Sequence, residues 1–250
     1  MRKLAALFAI AAGLTAGLSP REACACGPLM PGPQVAVPSR GQTAVPLNAQ
    51  VRLVLRAATG MGSFEEALLQ RADAPAGGGA VEAVLEPAGE LPAGVPRARL
   101  VPAQPLAPET DYVVVGRYGP LTPFRTGTQE DHAAPPAPAH VTAQMTVYWK
   151  EPNDCDGSQG RYGVLRLDPA EAGEPVSYTV REGGETVAVD LPSSPGNPLQ
   201  ALVACDPGVG AGLPETWRLG PGLHTLELSA VDLAGNVGAP LTVTVDADCS

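Results

Sequence analysis

The densest group of potential ligands in this 250-residue chain is Asn153-Asp154-Cys155-Asp156-Gly157. Calcium takes several oxygen donors from a glycine-containing turn, and carboxylates two residues apart can share one ion. The EF-hand spacing is absent, because placing Asp156-Gly157 at that loop's fifth and sixth positions puts Pro152 at its first. Asp246 and Asp248 would join from the same pole of the fold. The expectation is a solvated turn around a disulfide-bonded cysteine and no metal, with Asp154 and Asp156 the residues an ion would take.

Nucleophilic chemistry needs a serine or cysteine within hydrogen-bond reach of a base, and an oxyanion donor. Gly157-Ser158-Gln159-Gly160 lacks the residue that separates glycine from serine in the Gly-x-Ser-x-Gly elbow. His132 and His140 fall in or beside a proline-rich stretch, and His224 opens a hairpin strand, so all three read as surface polar residues. Gly208-Val209-Gly210-Ala211-Gly212 runs into Leu213-Pro214, with no helix to receive a pyrophosphate, and reads as a loop. No catalytic residue and no cofactor is expected. Tyr148, Trp149, Tyr162 and Trp217 raise a carbohydrate-stacking alternative. In the alternation of Met145, Val147 and Trp149 against Thr146, Tyr148 and Lys150, Trp149 takes the inward phase and Tyr148 the outward one. Trp149 is therefore expected in a core, and Trp217 in a loop stays open.

Cysteine usage bears on compartment. Met1-Arg2-Lys3 followed by the apolar run Leu4–Leu18 matches a secretory signal peptide, and is too short to span a bilayer comfortably. Ala23-Cys24-Ala25 offers the small residues a signal peptidase reads, placing cleavage after Ala25, with an earlier cut near Gly17 as the alternative. Removing residues 1–25 leaves 13 basic and 25 acidic residues, a charge of −12. Cys26 would then be N-terminal. Lipoprotein processing prefers a bulky aliphatic residue where Ala23 stands, so an unlipidated Cys26 is expected. Cys26, Cys155, Cys205 and Cys249 allow three pairings, and with no C-x-x-C pair they read as structural disulfides of an oxidising compartment rather than zinc ligands.

The elements that would position these residues are short strands. With 29 Gly and 28 Pro the chain disfavours long helices. Sixteen basic against 26 acidic residues leave no cationic stripe for nucleic acid or anionic lipid, and no later segment is apolar enough to span a membrane. Gln129–Pro138 (QEDHAAPPAP) reads as a semi-rigid linker between two β-sandwich-sized pieces, residues 32–128 and 139–250. In the first, Val51, Leu53 and Leu55 alternate with Arg52, Val54 and Arg56; Val81–Leu85, Arg97–Val101, Tyr112–Val115 and Phe124–Thr126 are further strands. Ser63–Gln70 has the capping-box spacing and residue preferences of a helix. In the second, strands are read at Met145–Lys150, Leu165–Leu167, Val176–Arg181, Val187–Leu191, Leu199–Cys205, Leu226–Ala230 and Leu241–Val245, with Gly183-Gly184 as a hairpin turn. Seven strands separated by turns suit an Ig-like or fibronectin-type sandwich.

The segment Pro38-Ser39-Arg40-Gly41-Gln42-Thr43-Ala44-Val45-Pro46-Leu47-Asn48 with its following strand, the segment Leu100–Val114, and Phe124-Arg125-Thr126-Gly127 come in the order seen in bacterial SbsA-type Ig-like domains. Residues from about Gly32 to Thr128 resemble that family, except at Arg56–Gly60, where the family's usual bend is missing. The resemblance implies a strand rather than a helix at Phe64–Gln70, and surface-layer, adhesion or accessory roles. Ala230-Val231-Asp232-Leu233-Ala234-Gly235-Asn236-Val237 resembles the final hairpin of many bacterial Ig-like repeats. If the second piece follows the seven-strand order, Cys155, Cys205 and Cys249 gather at one pole. Cys155–Cys205 is the preferred bond and Cys205–Cys249 the alternative. The expected protein is all-β, two tandem Ig-like sandwiches after a cleaved signal peptide. It is expected to be exported and non-enzymatic, an interaction or spacer module for an unknown protein or cell-surface polymer. Carbohydrate or calcium binding in the cell envelope is the alternative.

Overall fold

The computed structural model describes residues 32–56, 67–75, 78–90, 96–116, 119–151, 159–169, 177–192, 199–207 and 217–250. The described residues form fifteen strands and no helix. The signal segment, Cys26, the bend after Arg56, Asp154, Cys155, Asp156, Ser158 and the Gly208–Gly212 loop lie outside the described residues.

The first seven strands are β1 (Gly32–Val37), β2 (Val51–Arg56), β3 (Leu68–Arg71), β4 (Ala83–Glu90), β5 (Pro96–Pro102), β6 (Asp111–Gly116) and β7 (Gly119–Arg125). They pair as β1-β2-β5-β4 and β3-β6-β7. Lettered A to G in chain order, these are the A-B-E-D and C-F-G sheets of an Ig constant-type sandwich. Alternation sets the inner face: Val51, Leu53, Ala98 and Leu100 are buried, and with Leu69, Tyr112, Val114 and Phe124 they fill the space between the sheets. Ala107 N–H donates to the Tyr112 hydroxyl at 2.9 Å. A tyrosine near the start of strand F bonded to the backbone just upstream is the tyrosine corner of such sandwiches. The segment Leu68–Arg71 is extended, against its helix propensity, because pairing with β6 buries Leu69 in the core.

The remaining strands are β8 (Val141–Lys150), β9 (Gly160–Pro169), β10 (Ser177–Glu182), β11 (Glu185–Pro192), β12 (Leu199–Ala204), β13 (Trp217–Leu219), β14 (Leu223–Val231) and β15 (Leu241–Asp246). One sheet is β13-β12-β9-β8 and the other β11-β10-β14-β15. β13 runs parallel to β12 and was not foreseen, since three residues are too few for a periodic signal. Gly183 and Gly184, both at positive φ, make the β10–β11 hairpin turn.

Between these sheets lies a second core of Leu165, Leu167, Tyr178, Val180, Val203, Leu226 and Leu228 around a fully buried Trp217. The core tryptophan is thus Trp217 and not Trp149, which is 58% exposed. Trp149 does share its face with Leu165, as alternation required. It stands opposite Arg161 at the end of the ladder, past the buried Leu165 and Leu167, so the correct phase did not bring burial.

Candidate functional site: the joint and the disulfide pole

Two places in the fold concentrate polar contacts, a buried one at the contact between the sandwiches and an exposed one around the disulfide, and both lie at the ends of strands in the second sandwich. The first is the contact between the sandwiches. Arg52 lies on the outer face of β2, where alternation with Val51 and Leu53 should leave a side chain in water. It is 1% exposed. Its guanidinium donates to Ser177 Oγ and the Asp232 carbonyl, and more weakly to the Val231 carbonyl at 3.4 Å. Ser177 and Val231 are cross-strand neighbours of β10 and β14, so one arginine of the first sandwich grips two adjacent strands of the second. Three acceptors suit its planar fork of five donors.

The β14–β15 turn completes the contact. Asp232 accepts from the Asn236 backbone N–H at 2.9 Å and its side-chain amide at 2.8 Å, which shapes the turn. Leu233 at its tip is buried within the core of the first sandwich, and its carbonyl accepts from Gln50 N–H at 2.8 Å. Gly235 has φ +91°, and a Cβ there would stand 2.5 Å from the Gln50 amide. Only glycine satisfies both conditions without rearrangement. The hairpin segment Ala230–Val237 singled out in the sequence is therefore the plug of the joint.

The linker is held by both sides. The Asp131 carbonyl accepts from Asn48 Nδ2 at 2.7 Å and from Asn236 Nδ2 at 3.1 Å, and Asp131 N–H donates to Asn48 Oδ1 at 2.9 Å. Pro138 is buried, and the Pro135 carbonyl sits where a Cβ on Gly238 would fall, 2.4 Å away.

The second place is the pole where β12 and β15 end. Cys205 and Cys249 form a disulfide with Cα atoms 5.6 Å apart, a normal separation. This is the alternative pairing, and it overturns the preferred Cys155–Cys205 bond, because each sulfur forms a single disulfide. Arg161 ties the pole together. Its N–H donates to Asp206 Oδ2 at 2.7 Å, its guanidinium to Asp206 Oδ1 at 3.1 Å and to the Cys249 carbonyl at 3.2 Å. The Arg161 N–H, and then its side chain, hold the Asp206 carboxyl below the usual carboxylate range. Asp248 is lowered by the Ser250 hydroxyl and N–H, and Asp246 is exposed nearby in sequence. Among the described residues, no group of three or more His, Cys, Asp or Glu is placed to hold a metal ion.

The histidines do not converge. His132 is exposed and stands 3.0 Å from Glu130, and His140 is exposed. His224 is not a plain surface residue: Nδ1 lies 2.6 Å from Glu182 Oε1 and Nε2 2.8 Å from the Gly220 carbonyl. Burial opposes its charge, but acceptors at both ring nitrogens outweigh that and raise its pKa. On the outer face of the same sandwich, Tyr148 and Tyr162 stack with ring centroids 5.4 Å apart. Among the described residues, no helix is long and apolar enough to cross a membrane.

No family model matches the chain, and no curated protein matches it significantly. Several solved structures share a partial likeness. The N-terminal Ig1-2 module of the Drosophila receptor protein tyrosine phosphatase DLAR is 11% identical over 86% of this chain and 98% of its own, with a TM-score of 0.27. Fibronectin(III)-like modules of CbhA from Clostridium thermocellum give 11%, 86%, 94% and 0.22. L,D-transpeptidase 1 of Mycobacterium tuberculosis gives 14%, 56%, 78% and 0.27. Scores this low leave the Ig-like order resting on the strand pairing of this chain alone.

Proposed function

We propose that the protein is an exported, non-enzymatic spacer and interaction module, in which two Ig-like sandwiches present a fixed outline to a protein or cell-surface polymer. The observation that carries this reading is the joint. A buried arginine, a hairpin tip sunk into the neighbouring core and a linker bonded from both sides set one angle between the sandwiches, as a spacer requires. Export is supported by the basic-then-apolar start of the chain and by the Cys205–Cys249 bond, which suits an oxidising compartment. The resemblance of residues 32–128 to SbsA-type domains adds a cell-envelope setting, with a lipid on Cys26 the less favoured form. In a second reading, carbohydrate or calcium binding, the carbohydrate half draws support from Trp149 and Tyr148, which are 58% and 39% exposed.

Expression from the complete reading frame, followed by fractionation, protease shaving of whole cells and an intact mass, tests the assignment. The expected product lies outside the cytoplasm, begins at Cys26 and carries no lipid. A cytoplasmic product that retains Met1–Ala25 refutes it. Calorimetry with calcium and a glycan array decide the second reading, and flat responses in both remove it.

A further inference from the structure

β8 is an edge strand of the second sandwich. It pairs with β9 along all ten of its residues, and among the described residues no strand lies on its other side. Such an edge presents a row of free backbone donors and acceptors, which folded proteins normally blunt with proline, charge, a bulge or short length. Other described edges carry those devices, except β15, a six-residue strand with its one charge at the end. β1 contains Pro33 and a register shift, β4 contains Glu86, Pro87 and Glu90, and β7 contains Pro120 and Pro123. β11 contains Glu185 and Asp190 and two register shifts in its ladder, β3 and β13 are four and three residues long, and β15 has five uncharged residues before Asp246. β8 has neither proline nor charge from Val141 to Trp149, and its ladder with β9 is free of register shifts.

Val147, Tyr148 and Trp149 lie on this edge and are each more than a third exposed. We propose that β8 pairs antiparallel with β8 of a second copy about a two-fold axis, joining two four-stranded sheets into one continuous sheet. Two features of the strand select a second copy. The run from Val141 to Trp149 brings no like charges together, although the whole chain carries −10. Its parity is self-complementary: with the axis perpendicular to the sheet, both inner faces fall on one side, so odd residues meet odd and even meet even. Pairing centred on Met145 sets Trp149 of one copy against Val141 of the other and Val147 against Ala143, covering the apolar side chains the sandwich leaves open. Gln144 then opposes Thr146 on the outer face. The first sandwiches, which join β8 at its Val141 end, fall at opposite ends of the paired strands. The inference is independent of export.

Sedimentation equilibrium of the mature protein across a micromolar concentration series tests it. The expected result is a reversible monomer–dimer equilibrium. Q144K combined with T146K, both on the outer face and away from the core, places lysines opposite lysines and weakens the dimer about tenfold or more. Mixing that variant with the Q144E and T146E form restores pairing as a heterodimer, while circular dichroism of each variant shows an intact fold. A wild type that stays monomeric throughout, or a dimer indifferent to the lysines, overturns the proposal. In the first case a strand of another protein becomes the occupant to seek.

Discussion

Replacing Arg52 with methionine isolates the joint. Methionine fits the volume of the arginine stem and leaves the β2 pairing untouched, so the change removes only the guanidinium. Two close hydrogen bonds from a charged donor, to Ser177 Oγ and the Asp232 carbonyl, are lost with a long third to Val231. Each bond to a charged group contributes about 1.5–3 kcal/mol, and the buried acceptors left behind add a desolvation penalty. Two such bonds put the expected loss at about 3–5 kcal/mol. For a unit of this size that lowers the unfolding midpoint by roughly 6–20 °C.

Location of the loss matters more than its size. Combining R52M with S177A in a double-mutant cycle measures the contact between the sandwiches directly, and a coupling of about 1.5–3 kcal/mol is expected. Small-angle scattering of R52M should show a larger radius of gyration and a spread of inter-sandwich angles, with both sandwiches still folded. Coupling below about 0.5 kcal/mol, or an R52M scattering curve that superposes on the wild type, would refute the claim that this arginine fixes the joint.

Two further outcomes follow from the second sandwich. Substituting Cys249 with serine removes a bond that closes a separation of 44 residues, and should cost about 2–4 kcal/mol in denaturant unfolding; C205S should cost the same, and the double variant no more than either. His224, raised by its two acceptors, should titrate above the ordinary histidine range in a proton NMR experiment. Its contribution is fully present below the unfolded pKa and fades as pH rises through the raised folded value, so wild type should lose stability over that window relative to H224Q. A histidine that titrates at or below its ordinary value would contradict the geometry around Glu182 and Gly220.

Much of the architecture was legible as period-two alternation. Val51-Arg52-Leu53 and Leu241–Val245 each turn one face toward a neighbouring sheet, and a strand's two faces are written in its residue types; in β11 the buried side chain is Ala188, out of phase with Val187. Turn chemistry was equally local, as Gly183-Gly184 shows, because positive φ is a property of single residues. Where local signals conflicted, pairing decided: the helix-forming Ala67-Leu68-Leu69-Gln70 is extended because β6 offers it a partner and a core. Strand order favoured Cys155 as the partner of Cys205, with Cys249 second, and the fold joins Cys205 to Cys249 instead.

Alternation gives the direction in which a side chain points and nothing about what stands there. Arg52 and Trp149 make the case in opposite senses. Arg52 points outward, as its phase requires, and is buried because another sandwich covers that face; Trp149 points toward the core side and is exposed because it lies at the end of its sheet. The residues themselves determined strands, faces and turns, which depend on neighbours in the chain. Which outward faces meet, which edges stay open and which sulfurs join depended on residues far apart in the chain, 125 positions for Arg52 and Ser177 and 44 for Cys205 and Cys249, and only the assembled fold brings those together.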